Sequence, residues 1–290
     1  MSRLPILKTY KLYIGGAFPR SESGRYLQAK TAGGKLMANI ARASRKDFRQ
    51  AVVVARKAHE GWHKRSAFNR GQIIYRMAEM LESRRAGIEA MLVEAAGYGP
   101  DNARAELDAA VDRLVWYSGW ADKFHQIAGN TNPVATAHFN FSFPEAIGVV
   151  AILSSKQCPL LGLVSAIAPV IVSGNACIVV VDDAAPTVAI EFAEVLATSD
   201  LPGGVVNILT GQRAELFGQA GSHMDVDANF AIGSDGDEKQ KLQVEAAEAV
   251  KRTFFVDDGA PSDWLAESRQ TPYWIMPFVE MKTAWHPIGV

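Results

Sequence analysis

The sequence predicts an α/β protein in which helices cover both faces of a doubly wound parallel sheet. Short apolar runs alternate with helical segments between residues 147 and 209, which is the pattern of such a sheet. The runs are continuously apolar, as strands buried on both faces should be. The chain has 290 residues, 48% of them hydrophobic and 21% charged, so it can bury a sizeable core without disulfides or metals. This length predicts about two domains, or one large domain with an appendage.

The first part of the chain is predicted to be largely helical. A hairpin is expected around residues 12–18. A capping-box pattern, Ser44 followed by Asp47, predicts the start of the first helix. A second helix is predicted from Asn69, with one apolar face that continues to Leu92, and a third from about residue 104 to 124.

The second part of the chain is predicted to supply the sheet. Residues 134–143 alternate partly, with three phenylalanines on one side, which indicates a strand with one apolar face. The buried strands are predicted at residues 147–153, 176–181 and 205–209, and the helices between them at 159–172 and 186–197. Residues 274–290 break this alternation and end in an amphipathic strand. A strand at this point needs another strand to pair with.

Composition and charge exclude several classes of function. The chain has 30 Lys and Arg residues against 31 Asp and Glu residues, a formal net charge of −1. This balance argues against a surface for nucleic acid or anionic membranes, because either would need an excess of basic residues. Cys158 and Cys177 lie in apolar stretches without the spacing of a disulfide framework or a zinc site. The pattern indicates a reducing compartment, and the cytoplasm is the expected location.

No membrane span, secretory signal or metal site is predicted. Residues 1–11 contain charged residues and a proline but no long apolar core. Residues 157–181 carry no charge, yet Pro159 and Pro169 divide them into pieces shorter than the roughly 20 residues that a bilayer requires. They are therefore predicted to form a buried helix and a buried strand. The six histidines are separated along the sequence and form no metal-binding pattern.

Four short motifs resemble the aldehyde dehydrogenase superfamily. Residues 145–150 (E-A-I-G-V-V) are similar to the E-P-x-G-V-x strand that opens its cofactor domain. Ala168-Pro169 with Ser173-Gly174-Asn175, residues 201–207 (L-P-G-G-V-V-N) and residues 224–227 (M-D-V-D) match further family motifs in the same order. The resemblance covers about residues 10–263. It implies that the parallel sheet is the Rossmann-like sheet of the family's cofactor domain.

The resemblance also implies that one domain is missing. In the family a catalytic domain of comparable bulk follows the cofactor domain, whereas here residues 263–264 lead almost directly to the final strand. Residues 281–287 are most similar to the closing strand of the family 16 aldehyde dehydrogenases, whose carboxy-terminal half is a degenerate second copy. The implied division is a cofactor-fold domain at 1–133 plus 148–272 and a β-flap oligomerisation element at 134–147 plus 273–290.

The family's catalytic residues have no clear counterparts. Its thiol nucleophile lies on a loop of the missing domain, and its general-base glutamate aligns with Val256, which cannot accept a proton. Its oxyanion-holding asparagine aligns with Gln157, whose extra methylene displaces the amide. No catalytic residue is therefore assigned. An enzyme of changed mechanism built around Cys158, Gln157 and Lys156 stays open, because a neighbouring cation can activate a thiol.

The family's cofactor contacts are also altered. Its ribose-binding lysine and glutamate align with Val180 and Asp183, and the last glycine of its pyrophosphate motif aligns with Glu238. The turn Gly233-Ser234 is retained but precedes a helix start rich in carboxylates, which repel phosphate. This turn is interpreted as a structural helix cap. The alternative is a residual NAD site formed by Gly233, Ser234 and Asp183, and no cofactor is expected unless that site functions.

These observations lead to three hypotheses. The first is a non-catalytic aldehyde-dehydrogenase-like protein that acts as a structural or assembly subunit. Its partner would be a second copy or a full-length catalytic aldehyde dehydrogenase, with residues 274–285 paired across the interface. The second is an NAD-binding or sensing module, and the third is the enzyme of changed mechanism. For the tail, the alternative is that it folds back onto its own chain and fills the gap left by the missing domain.

Overall fold

The structure is a computed structural model that describes residues 6–289. Residues 1–5 lie outside the described residues, and they belong to the segment 1–11 for which no secretory signal was predicted. Val290, at the end of the predicted tail, also lies outside them. The elements in chain order are β1 (Thr9–Tyr10), β2 (Tyr26–Lys30), β3 (Leu36–Ala41), α1 (Arg45–His63), α2 (Ala67–Ser83), α3 (Arg85–Ala96), α4 (Pro100–Trp120), α5 (Phe124–Ala128), β4 (Asn130–Asn132), β5 (His138–Ala146), β6 (Val149–Leu153), α6 (Leu161–Val172), β7 (Ala176–Val180), α7 (Pro186–Leu196), β8 (Val206–Leu209), α8 (Arg213–Ser222), β9 (Ala228–Ile232), α9 (Gly236–Ala247), β10 (Arg252–Val256), α10 (Pro261–Leu265) and β11 (Val279–Pro287).

The amino-terminal predictions are confirmed in two places. Ile14 and Ala17 exchange backbone hydrogen bonds of 3.0 and 3.1 Å, which close the predicted hairpin. The capping box is present at α1: the Ser44 hydroxyl accepts from the Asp47 backbone, and the Asp47 carboxylate accepts from the Ser44 backbone. β1, β3 and β2 form a small sheet in that order.

The predicted second helix is wrong in its extent. The apolar face from Ile74 to Leu92 is divided between α2 and α3, with the break at Arg84, where φ and ψ are −103° and 11°. Leu81 and Ile88 lie on either side of the break, and both are buried. The seven-residue spacing between Leu81 and Ile88 fits one continuous helix and two separate helices equally well. The periodicity of the sequence therefore did not reveal the break. The third helix begins at Pro100, earlier than predicted, and ends at Trp120.

The central sheet has five parallel strands in the order β10-β9-β6-β7-β8. Every residue of β6, β7, β8 and β9 is buried, as the continuous apolar runs predict. One hydrophobic core joins α2, α4, α6 and α7 to one face of this sheet, and a second joins α1, α8 and α9 to the other face. The doubly wound α/β fold is therefore confirmed.

The uncharged stretch forms a buried helix and a buried strand, as predicted. α6 begins at Leu161 rather than Pro159, contains Pro169 and is buried along its whole length. Its connection leads into β7. Among residues 6–289, no helix combines the length and the apolar character that crossing a membrane would demand.

A third sheet, β11-β5-β4, stands beside the central sheet and is antiparallel. β5 begins at His138, four residues later than predicted, and pairs with β11 from Val279 opposite Ala146 to Pro287 opposite His138. One edge of the tail strand thus pairs with β5 of its own chain, and pairing of its other edge across an interface stays a prediction. The division into a cofactor-fold domain and a β-flap element stays a prediction.

The segment before β11 packs against the central sheet. Ile275 and Phe278 are fully buried, and the Phe278 ring lies 5.4 Å from that of Phe230 on β9. The Trp274 ring lies 6.0 Å from the same phenylalanine. Phe278 lies within the segment 274–285 that was predicted to pair across an interface, but its side chain fills the core of its own chain.

Candidate functional site

The candidate site is the crevice at the carboxyl ends of β6 and β9. The strand order reverses between these strands, since β7 lies on one side of β6 and β9 on the other. Open α/β sheets bind their ligands at such a switch point. Ser154 follows β6 directly, and Gly233 and Ser234 follow β9. Two of the three predicted site residues therefore lie at the switch point.

Arg213, the first residue of α8, fills the crevice. Its side chain is buried, and its Nη1 donates to the Ser154 carbonyl at 2.9 Å. Its Nη2 donates to the Ile232 carbonyl at 3.1 Å and to the Ser234 hydroxyl at 3.2 Å. The guanidinium thus joins the ends of β6 and β9, and it is 3.5 Å from the Glu238 carboxylate. The sequence analysis did not identify Arg213 as a site residue. The one available signal was its position two residues after Gly211, where β8 ends at the same edge of the sheet as β6 and β9.

The Gly233-Ser234 turn leads into a capped helix. Gly233 has φ of +65°, and its backbone N–H donates to the Val256 carbonyl at 3.0 Å. The Asp235 carboxylate accepts from the Glu238 backbone N–H at 2.8 Å, so the predicted helix cap of α9 is confirmed. Asp237 and Glu238 add two more carboxylates to the first turn. The helix N-terminus that would face a phosphate is occupied by the protein's own anions.

Asp183 lies beside Arg213, whose backbone and charge both act to lower its pKa. Asp183 is exposed and lines a cavity of about 380 Å³ together with Gln28 and Gln212. Burial, followed by the charge of Asp182, raises the pKa of Asp183 above its ordinary value. Asp182 is itself buried beside Ser154, whose hydroxyl accepts from the Asp182 backbone N–H at 2.9 Å. Arg213 therefore lies between Asp183 and Ser234 and contacts both, and a site formed by the three predicted residues stays a prediction.

A network around Asp258 fixes the loop after β6. The Asp258 carboxylate accepts from the Ser155 hydroxyl, from the Lys156 backbone N–H at 2.8 Å and from the Trp264 indole at 3.2 Å. The loop that the resemblance matches to the family's oxyanion-holding turn is thus tied to the segment just after β10. Gln157 is exposed, and its backbone carbonyl accepts from the Tyr98 hydroxyl at 2.6 Å.

The comparisons with known proteins agree on one family. The sequence profile of the aldehyde dehydrogenase family matches residues 18–257. The chain belongs to the aldehyde dehydrogenase family. It is 32% identical over 248 residues to "Retinal dehydrogenase 2" of Gallus gallus and 31% identical over 252 residues to "Aldehyde dehydrogenase, cytosolic 1" of Elephantulus edwardii. Both matches cover 83% of this chain, but only 46% and 49% of those proteins.

Solved aldehyde dehydrogenases share the fold. An NAD⁺ complex of an aldehyde dehydrogenase from Bacillus cereus superposes with a TM-score of 0.82 at 23% identity. The superposition covers 86% of this chain and 51% of that one. This aldehyde dehydrogenase family member therefore has the family's cofactor-domain architecture and spans about half the length of its relatives.

Two residues that the resemblance matches to catalytic positions of the family, or to their neighbours, are buried. Val256 ends β10 opposite Ile232, and its side chain is apolar. Cys158 is also buried, and burial, followed by the neighbouring charge of Glu106, raises the pKa of its thiol. The thiol is therefore protonated at neutral pH and is a poor nucleophile. Within residues 6–289, no group of three His, Cys, Asp or Glu side chains could hold a metal ion.

The crevice does not fit NAD. A dinucleotide needs open helix N-termini and room at the switch point. Here Arg213 occupies the switch point and the Asp235 and Glu238 carboxylates lie at the start of α9. Val180, aligned with the family's ribose-binding lysine, is buried in β7 and offers no contact.

We expect NAD to bind more weakly than about 1 mM, which corresponds to only about 4 kcal/mol of binding free energy. Titration of the chain with NAD, followed by the fluorescence of its six tryptophans, measures this affinity. A catalytic aldehyde dehydrogenase titrated under the same conditions is the control. Saturation at micromolar NAD, or pyrophosphate density at Gly233 and Ser234 in a soaked crystal, would contradict the expectation.

Proposed function

We propose that the chain is a non-catalytic aldehyde dehydrogenase family protein that acts as an assembly subunit through the β11-β5-β4 sheet. The observation that carries the proposal is the free edge of β11. This strand closes the sheet on one side, and among the described residues no strand lies beyond it. An unpaired nine-residue edge is a ready template for another chain.

The non-catalytic part of the proposal has independent support. Only residues 257–278 separate β10 from β11, and they form short helical turns rather than a domain that could carry a nucleophile loop. Val256 offers no base and the Cys158 thiol is protonated. Aldehyde oxidation needs both covalent capture and proton removal, and neither of these two residues supplies a group for either step.

The hydrogen-bond register shows which groups of β11 face outward. The Ile288 N–H donates to the Ala137 carbonyl just beyond the last paired residues. In an antiparallel ladder, opposite residues alternate between pairs that exchange backbone hydrogen bonds and pairs that do not. Counting back from Ile288, the pairs Ala284–Phe141 and His286–Phe139 exchange backbone hydrogen bonds. The residues of β11 that alternate with them form none to β5. The N–H groups of Met281, Thr283 and Trp285 therefore point away from β5 and are available to another strand.

Apolar side chains on the sheet give the edge a surface to bury. Phe139, Phe141 and Phe143 form a ladder with ring separations of 5.4 and 5.9 Å. The Phe139 side chain is 47% exposed and that of Trp285 is 58% exposed. Aromatic side chains of this kind supply most interface hot spots. We propose a second copy as the partner, because a twofold axis pairs an edge with itself.

The edge can be tested by a substitution that removes one outward N–H. Thr283→Pro deletes that donor without breaking a backbone bond to β5, but it loses the hydroxyl bond to Ser142. Thr283→Val loses the same hydroxyl bond and keeps the backbone donor, so it isolates the effect of the N–H. We expect the wild type and Thr283→Val to be dimers or larger by light scattering and Thr283→Pro to be monomeric. Circular dichroism checks that all three are folded.

Two outcomes would contradict this proposal. One is a wild-type chain that stays monomeric alone, and the other is a Thr283→Pro variant with an unchanged oligomer. A monomer that enters a complex only with a full-length aldehyde dehydrogenase would identify that protein as the partner instead. Steady NAD- or NADP-dependent aldehyde oxidation would overturn the non-catalytic part. Truncation after Thr271 is less informative, because it removes the buried Ile275 and Phe278 together with β11.

The cytoplasm is the proposed location, and the support is the chemical state of the cysteines. Cys158 and Cys177 are both free and buried. Free thiols persist in reducing compartments.

A further inference from the structure

The outer edge of β11 can pair with another strand over only part of its length. The N–H and C=O groups of alternate residues from Val279 to Pro287 point away from β5. At one end, Arg252 Nη1 already donates to the Val279 carbonyl. At the other end, Pro287 has no N–H to donate. Within residues 6–289, a pairing strand therefore finds both backbone groups available only from Met281 to Trp285.

This available stretch is symmetric about Thr283. A twofold axis beside Thr283 sets that residue opposite its own counterpart in a second copy, and it sets Met281 opposite Trp285 of the second copy. The outward N–H groups of these three residues then all meet carbonyl groups across the axis. The two ends coincide as well, because the Val279 carbonyl, which already has a donor, lies opposite Pro287, which has none.

The side chains on one face of the sheet fit the same register. Met281 is 41% exposed and Trp285 is 58% exposed, and in this register each covers the other across the axis. A methionine sulfur beside an aromatic ring is a favourable contact. Thr283 faces a second threonine, and such pairs are also favourable between strands.

The charges on the other face agree with this register. Glu280 lies opposite His286 of the second copy, and Lys282 lies opposite Ala284, so no like charges face each other. If the axis moved to Lys282, two lysines would lie directly opposite, which destabilises a pair of strands.

A shift of the axis in the other direction is also unfavourable. With the axis at Ala284, Pro287 would lie opposite Met281 of the second copy. The Met281 carbonyl would then lose its donor, because proline has no N–H. The register centred on Thr283 is the one that avoids both defects.

We propose that the chain recognises a second copy of itself in this one register, which joins the two sheets in the order β4-β5-β11-β11-β5-β4. The inference rests on the proposed function and adds what selects the partner. That selection comes from the stretch between Arg252 and Pro287, which is complementary to itself. A strand of another protein would have to reproduce the Met281–Trp285 spacing and end at the same two points to pair equally well.

Disulfide cross-linking tests the register. The native cysteines are both buried and do not interfere. Thr283→Cys places two thiols opposite each other, at a Cα separation of about 5.5 Å that a disulfide can span. Lys282→Cys and Ala284→Cys are the matched controls, because each thiol lies diagonally from its own counterpart, about 7–8 Å away and out of reach. Under a mild oxidant, we expect Thr283→Cys to form a covalent dimer at least about tenfold faster than either control.

A mixture of the two controls gives a second readout that does not depend on how Thr283→Cys folds. In the proposed register, position 282 of one copy lies opposite position 284 of the other. Lys282→Cys and Ala284→Cys, mixed until their subunits exchange and then oxidised, should therefore form a mixed disulfide dimer. Mass spectrometry identifies this dimer because the two chains differ in mass.

Light scattering of the wild type under reducing conditions separates this inference from the proposed function. If the wild type is a dimer but Lys282→Cys or Ala284→Cys alone cross-links as fast as Thr283→Cys, the register is overturned and the assembly role stands. The same conclusion follows if neither Thr283→Cys nor the mixture forms a disulfide. A monomeric wild type would overturn both.

Discussion

Phe278→Ala is expected to lower the free energy of unfolding by about 3–5 kcal/mol, the range for a phenylalanine truncated in a core. Phe278 is fully buried, and its ring lies 5.4 Å from Phe230 and 5.9 Å from Phe254. These two rings belong to the neighbouring strands β9 and β10. Truncation therefore leaves a cavity between the tail and the central sheet. Urea denaturation followed by circular dichroism measures the change.

The matched control is Phe68→Ala, at a phenylalanine whose side chain is 67% exposed. It should change stability by no more than about 0.5 kcal/mol. Phe278→Leu, which keeps most of the buried volume, should cost about 1 kcal/mol. Equal stabilities of Phe278→Ala and Phe68→Ala would mean that the tail does not pack where the structure places it. The expected result would make the segment before β11 part of the core rather than a detachable flap.

The sheet was predictable because burial on both faces leaves a strong signal in the sequence. β6 and β7 read as continuous apolar runs and lie within about two residues of their predicted bounds. The capping box of α1 was predictable because its two partners are three residues apart. The break at Arg84 was not, because the residues on either side keep the spacing of one helix face.

The site was predictable only where a single position decides it. A valine cannot act as a base in any surroundings, so Val256 alone decides that question. Asp235 caps α9 through its own side chain, which is a local contact within the helix start. Arg213 and Glu106 escaped because their partners are distant in sequence: Arg213 reaches back to Ser154, and Glu106 reaches forward to Leu160. No local pattern encodes such contacts. They depend on the way the sheet brings separate loops together.

Arg213→Met is expected to lower the free energy of unfolding by about 3 kcal/mol. The substitution keeps most of the side-chain volume but leaves the Ser154 and Ile232 carbonyls without their donors. Each buried acceptor that loses its partner costs about 1–3 kcal/mol. The Glu238 carboxylate, 3.5 Å away, also loses its neighbouring cation. Urea denaturation measures the effect, and the unchanged secondary structure of the folded variant would show that the fold itself is retained.

Arg42→Met provides the comparison, because Arg42 also pairs with a carboxylate but does so at the surface. Its Nε donates to the exposed Glu215 at 3.2 Å, and such ion pairs contribute at most about 1 kcal/mol. A loss of stability in Arg213→Met no larger than that in Arg42→Met would show that the guanidinium does not join β6 to β9. The larger loss is expected because the buried arginine holds together the ends of the two strands that flank the switch point of the sheet.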